Sequence, residues 1–185
     1  MKRFFIIILS VLSVFLLAAS CEKADGEAEY GNLLVYIPQA MTNGTIDNIY
    51  DVPSGDAEYT YNFRVQEGVV NVFLSVYRSG KIKAREVIVD VIADLNSTAA
   101  QAEALGAETM PSSLYTLPAK AGVPAGVNSG SFYLAVPKAS LMDETHAGKI
   151  YVLCVRIANP SNYELNEDAS EVVVRLDVDA LKACL

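Results

Sequence analysis

Apolar side chains recur at every second position in five separate segments of this chain, a spacing that calls for half-buried strands rather than helices. Tyr59, Tyr61, Phe63 and Val65 alternate with Thr60, Asn62 and Arg64. Val70, Val72, Leu74 and Val76 alternate with Asn71, Phe73 and Ser75. Val87, Val89 and Val91 alternate with Glu86, Ile88 and Asp90. Phe132, Leu134 and Val136 alternate with Ser131, Tyr133 and Ala135. Val172, Val174, Leu176 and Val178 alternate with Glu171, Val173, Arg175 and Asp177. Successive side chains of a strand point to opposite faces, so each set offers one apolar row to a core and a mixed row to the outside. Residues 33–37, ended by Pro38, and residues 150–158 read as two further strands. In the latter Tyr151, Leu153, Val155 and Ile157 form the stronger row, which puts Cys154 on the other face beside Val152 and Arg156. Residues 114–117 read as a short edge strand before Pro118.

Turn residues separate these pieces. Gly68 divides the second strand from the third, and Arg78-Ser79-Gly80-Lys81 reads as the close of a hairpin. Pro124, Gly126 and Asn128-Ser129-Gly130 make an irregular approach to the next strand, and Asn159-Pro160-Ser161-Asn162 ends the one after. One stretch departs from the pattern. Residues 98–105 are alanine-rich, with Thr98 and Gln101 spaced as a capping box and Gly106 as a stop, and predict a short helix crossing between sheets. A second helical turn is predicted at residues 139–143. Short strands with spaced turns and one crossover helix predict an all-β fold, a Greek-key β-sandwich of about seven strands.

The N-terminus is organised differently. Lys2 and Arg3 precede an apolar stretch, residues 4–17, broken only by Ser10 and Ser13, and the small residues Ala18, Ala19 and Ser20 follow. This is the layout of a secretory signal, residues 1–20, which takes no part in the fold. The stretch is shorter than the roughly 20 residues that a membrane-crossing helix needs. Cys21 follows directly, as in the lipobox of bacterial lipoproteins, although the leucine usual three places before the cysteine is here Ala18, with Leu17 one step earlier. Cys21 is therefore the expected lipidation site. Acyl chains contribute about 0.8 kcal/mol per buried methylene, so multiple acylation gives a stable anchor. Residues 21–30 are polar and acidic and read as a flexible tether, with residues 31–185 as the sandwich domain. The tether resembles the acidic stretch of surface-exposed lipoproteins in Bacteroidota.

Loss of Lys2 and Arg3 with the signal takes the 14 basic residues to 12, against 22 acidic ones, a formal balance of −10. Such a chain repels nucleic acid and anionic headgroups, so no nucleic-acid partner is expected and membrane contact falls to the lipid. Cys154 and Cys184 read as two free thiols rather than a disulfide framework, with Cys184 near a fraying end. His146 is the single histidine and sits in a polar loop, without ligand spacing for zinc or a nucleophile-elbow partner. Glu164, Glu167 and Asp168 cluster without the glycine-containing loop of an EF-hand. Lys81, Lys83 and Arg85 read as a charged surface near a strand edge. No cofactor, metal or catalytic residue is expected. Ten tyrosines and no tryptophan leave two readings open. Tyr77 and Tyr133 on outer rows, with Tyr115 and Tyr163 near turns, form a platform for stacking sugar rings, or they serve as strand formers with an apolar body and a wet tip.

Several segments together carry a resemblance. They are Val35-Tyr36-Ile37-Pro38-Gln39-Ala40, Val76-Tyr77-Arg78-Ser79-Gly80, Tyr115-Thr116-Leu117-Pro118, Val123-Pro124-Ala125-Gly126 with Asn128-Ser129-Gly130, and the run from Val155-Arg156-Ile157-Ala158-Asn159-Pro160 through Ser161-Asn162-Tyr163-Glu164-Leu165-Asn166-Glu167. In order and spacing these resemble an uncharacterised N-terminal domain of Bacteroidota surface lipoproteins (domain of unknown function 1735). The resemblance implies an immunoglobulin-like sandwich after a lipidated cysteine, in proteins that often carry a C-terminal glycoside hydrolase-like or carbohydrate-binding module and often belong to polysaccharide-utilisation systems. With Leu185 following the sandwich, that module is not expected here. The family implies no site residues for this domain.

The expected protein is a non-enzymatic lipoprotein of the outer membrane, facing the cell surface, that serves as a binding or scaffold component of glycan capture. Its expected partner is a glycan or another lipoprotein. The alternative is an adhesive or pilus-like structural subunit that adds strands between protomers through residues 172–178 or an exposed edge. Cys21→Ser is expected to move the protein from the membrane pellet to the soluble fraction on envelope fractionation; a variant still in the pellet contradicts the anchor.

Overall fold

The computed structural model describes residues 33–42, 44–80 and 85–185; the signal segment, Cys21, the tether, Lys81 and Lys83 lie outside these. In chain order the strands are β1 (Leu34–Tyr36), β2 (Met41–Thr42), β3 (Thr45–Ile46), β4 (Ile49–Val52), β5 (Phe63–Gln66), β6 (Val69–Arg78), β7 (Val87–Ala93), β8 (Glu108–Thr109), β9 (Lys120–Val123), β10 (Ser129–Pro137), β11 (Ile150–Ala158), β12 (Glu164–Leu165) and β13 (Glu171–Asp177). The helices are α1 (Leu95–Leu105), α2 (Lys138–Leu141) and α3 (Val178–Ala183). One sheet has the order β10-β6-β1-β12 with β5 also on β6. The other has the order β4-β13-β11-β7-β9 with β8 also on β11, and β2-β3 is a separate hairpin. The protein is an all-β sandwich.

The expected apolar rows supply the core. Val70, Val72, Leu74, Val76, Phe132, Leu134 and Val136 face Val87, Val89, Tyr151, Leu153, Val155, Ile157, Val172, Val174 and Leu176 in one buried cluster. Burying such a side chain stabilises by roughly 1.5–3 kcal/mol, which is the main force closing the sheets.

Both sheets are organised on a strand longer than its neighbours. β10 pairs β6 from Val69 to Tyr77. On the opposite edge β5 covers Val69–Val72 and β1 covers Tyr77 and Arg78, leaving a gap. Two loops fill it: Phe73 N–H donates to Asn62 O (2.9 Å), and Ser75 N–H donates to the Gln39 side-chain oxygen (3.2 Å). β11 shows the same arrangement. β13 runs along one edge, while β7 and β8 share the other. Between them Asp94 N–H donates to Cys154 O, and Cys154 N–H donates to Thr98 Oγ1, both at 2.9 Å. Buried backbone groups need partners, and here the Gln39 and Thr98 side chains and the backbone of Asn62 and Asp94 supply them where strands stop.

Several expectations change. Residues 59–62 are turn and loop, with Tyr59 90% exposed; the strand begins at Phe63, because Thr60 Oγ1 and Asn62 Oδ1 hold the preceding residues in tight turns. Gly68 divides two strands as expected, and β5 and β6 form a hairpin there, its two-residue loop Glu67-Gly68 having φ of 52° and 76° at its two positions. The hairpin expected at Arg78-Ser79-Gly80-Lys81 does not form, since β6 and β7 belong to different sheets. Residues 114–117 contribute only an isolated bridge, Thr116 to Ala135. Helix α1 starts at Leu95, not Thr98, with Asp94 as its N-cap accepting from Ser97 N–H, and Gly106 ends it at φ 62°. It joins β7 to β8 of one sheet instead of crossing between sheets, and lies over the outer face of that sheet. Ala102 there packs with Val152, Cys154 and Val173, which explains why β11 and β13 are buried on both faces. Val178 opens α3 rather than ending a strand, because the Asp177 side chain caps Ala180 N–H. α3 seats Leu181 in the core and brings Cys184 against it, so this end is packed. Strands β4 and β9 were not expected. The helical turn expected at residues 139–143 is present as α2.

At the corner where β9 leads to β10 the sheets meet closely. A Cβ on Gly130 would lie 1.7 Å from Gly122 O. Gly130→Ala is expected to destabilise by about 1–3 kcal/mol in urea unfolding, the usual cost of overpacking; no change would mean the corner yields. Asp94→Ala is expected to cost about 1 kcal/mol at neutral pH through the lost cap. Bonding from Ser97 N–H, aided by Arg156, holds the Asp94 carboxyl below its ordinary 3.8. Its contribution is therefore present above that pH and lost as pH falls through the lowered value, and the gap to wild type should narrow in acid.

Candidate functional site

The two outer faces of the sandwich differ. α1 covers the middle of the outer face of the β11 sheet at Val152, Cys154 and Val173, whereas the β6 sheet turns a row of half-buried aromatic and polar side chains outward. β6 supplies Asn71, Phe73, Ser75 and Tyr77, β10 supplies Ser131 and Tyr133, β1 supplies Tyr36, and β5 supplies Arg64. Cross-strand register makes these neighbours: Tyr36 lies opposite Tyr77, Phe73 opposite Tyr133, Ser75 opposite Ser131, and Arg64 opposite Asn71.

The aromatic groups form two pairs. Tyr36 and Tyr77 have ring centroids 5.3 Å apart at 46°, and Phe73 meets Tyr133 edge-on at 5.9 Å. The Arg64 guanidinium lies 5.1 Å from the Tyr133 centroid, within cation–π range, and Nη2 donates to the Tyr133 hydroxyl at 3.4 Å. Asn128 donates to the Tyr77 hydroxyl at 3.5 Å, and Gln39 Nε2 donates to Ser75 Oγ at 3.1 Å. Burial, with the neighbouring Tyr77 second, pushes the Tyr36 phenol above its ordinary 10. It is thus a neutral hydroxyl at physiological pH, able to donate and accept. The face combines ring surfaces fixed by their neighbours with hydroxyl, carboxamide and guanidinium groups. That combination suits a flat, hydroxylated ligand.

Of the four tyrosines singled out from the sequence, the fold brings Tyr77 and Tyr133 to this face and sends the others elsewhere. Tyr115 packs against the main core, where burial raises its phenol. Tyr163, at φ 70°, lies 5.6 Å under the guanidinium of Arg78, which is 1% exposed and donates from Nη1 to Arg85 O and to the Tyr163 hydroxyl. Tyr36 and Arg64 were missed as members of the face; only the pairing of β1 and β5 with β6 reveals them. His146 ends a turn and its Nδ1 sits 2.7 Å from the buried Tyr151 hydroxyl. Glu164 is in β12 and Glu167 and Asp168 in a 3-10 turn; among the described residues no three His, Cys, Asp or Glu side chains converge as metal ligands. Cys154 and Cys184 are free thiols in separate clusters. Burial beneath α1, with the Glu171 charge second, pushes the Cys154 thiol up to about 12, so it is inert as a nucleophile.

A family model described as a "-like, N-terminal domain" matches residues 30–164. The chain belongs to this family of N-terminal domains. The resemblance read from its residues is borne out, and solved structures of like fold come from Bacteroides. A candidate carbohydrate-binding protein from Bacteroides ovatus shares 15% identity at a TM-score of 0.53, with 78% of this chain and 36% of that one covered. A multidomain Bacteroides ovatus protein that includes DUF1735 shares 13% at 0.52, over 77% and 44%. EndoBT-3987 of Bacteroides thetaiotaomicron, solved with a Man5GlcNAc product, shares 13% at 0.50, over 77% and 30%. These identities establish likeness of fold, and the domain spans less than half the length of each of the three. No curated protein matches the sequence.

Proposed function

We propose that this N-terminal domain is a non-catalytic glycan-binding component, held at the outer membrane by lipid on Cys21 and turned toward the cell surface. The observation that carries the binding reading is the outer face of the β6 sheet, where Tyr36, Tyr77, Phe73 and Tyr133 stand among Ser75, Gln39, Asn128 and Arg64. Tyrosine offers an apolar ring body and a polar tip in one rigid side chain, which matches the apolar faces and hydroxyl rims of a sugar ring. Likeness in fold to a candidate carbohydrate-binding protein and to EndoBT-3987 supports a glycan-related role.

The adhesive-subunit reading loses one of its two strands. Residues 171–177 are β13, paired with β4 on one edge and β11 on the other, and so are closed to a neighbouring protomer.

Affinity electrophoresis through dextran, pullulan, xylan, galactomannan, laminarin, yeast mannan, polygalacturonate and chondroitin sulfate checks the binding reading. At least one polymer is expected to retard the wild type. Tyr77→Ala and Tyr133→Ala, shown folded by circular dichroism, are each expected to bind it about tenfold more weakly, or ~1.4 kcal/mol. Free migration in every gel overturns the reading.

A further inference from the structure

At the β4 edge of the sandwich the chain forms a groove of about 750 Å³, with Gln39, Asp47, Tyr50, Asp51, Ser54 and Arg175 in its lining. A smaller hollow of about 350 Å³ shares Asp51 and Arg175 and adds Asp177 and Ile150. The shared pair follows from sheet register: Asp51 of β4 and Arg175 of β13 are direct partners across a parallel pairing, and Arg175 Nε lies 2.6 Å from Asp51 Oδ1. Tyr50, one residue earlier on β4, packs partly into the core. Burial raises its phenol, which stays a neutral hydroxyl in the groove wall.

Gln39 connects this groove to the face. Its carboxamide takes the place of a missing strand beside β6, bonding Ser75 N–H and Ser75 Oγ, and the same residue lines the groove. Ser75 stands between Phe73 and Tyr77 in the outward row of β6. Gln39 is thus shared by the row and the groove, and because Arg175 points outward with Val173 from the opposite sheet, a chain that occupies both must turn round this edge of the sandwich.

The groove chemistry narrows the ligand. A carboxylate and a guanidinium fixed side by side, as in Asp51 and Arg175, make paired hydrogen bonds to adjacent hydroxyls. Asp47, Asp51 and Asp177 outnumber Arg175, the single basic residue of the two linings, so a sulfated or carboxylated chain is repelled.

We propose that this groove is a second subsite of the same glycan surface, taking neutral sugar units of a chain that runs on from Tyr77 past Gln39. The ligand is then a neutral oligosaccharide or polysaccharide, and not a single sugar or an anionic glycan. The inference rests on the reading of the tyrosine face as glycan-binding.

Calorimetry with a size ladder cut from the neutral polymer that most retards the wild type tests it. Affinity should rise with chain length. The double variant Asp51→Ala, Arg175→Ala, which removes both members of the ion pair together, should lose that rise, binding long chains about tenfold more weakly and short ones within about twofold of wild type. Tyr77→Ala should weaken every length. A double variant indistinguishable from wild type at all lengths overturns the groove subsite and leaves the tyrosine face standing. Loss of binding in the double variant, with Tyr77→Ala unchanged, overturns the face and the continuous path with it. Tightest binding to polygalacturonate or chondroitin sulfate overturns the neutral-chain assignment alone, and no retardation by any polymer overturns the whole surface.

Discussion

The architecture turns on finding a partner for every backbone group along two long buried strands. β6 and β11 each run further than any single neighbour on one edge. An unpaired N–H in such a place costs about 1–3 kcal/mol. Gln39, Asn62 and Thr98 answer that demand, two from loops and one from the first turn of α1. These residues also set position. Gln39 pins the loop that separates the two halves of the proposed surface, and Thr98 ties α1 to Cys154.

That tie makes the sandwich one-sided. With α1 laid over Val152, Cys154 and Val173, the middle of the β11 sheet is buried on both faces. The β6 sheet keeps the alternation of a sheet with one wet face, and its outer row is free to vary in chemistry without disturbing the core. The aromatic pairs there are held by their neighbours, which restricts their rotamers and lowers the ordering cost of any contact they make.

The inward rows were legible because alternation with period two reports the core directly: Val70 to Val76 and Phe132 to Val136 stand where their spacing placed them. β4 and β9 escaped notice because Ile49-Tyr50-Asp51-Val52 and Lys120-Ala121-Gly122-Val123 are too short and mixed to alternate clearly. The helix start was misplaced because Thr98 fits a capping box, while its hydroxyl is instead spent on Asp94 O and Cys154 N–H. Tyr77 and Tyr133 were readable as outward residues. Their company was not, since Tyr36, Arg64 and Arg175 join their partners through pairings between distant segments, and local pattern carries no register between strands.

β13 lies between β4 and β11, joined to both. A segment from the far end of the chain thus fills an interior lane of the sheet, and β4 has no sheet neighbour until it arrives. Loop closure over that span must precede most of the contacts that repay it, which slows folding in proteins of this kind. A nascent chain lacking residues 171–177 holds β4 and β11 as two unjoined edges. The β4 end of this sheet therefore cannot be completed before residues 171–177 are available to pair.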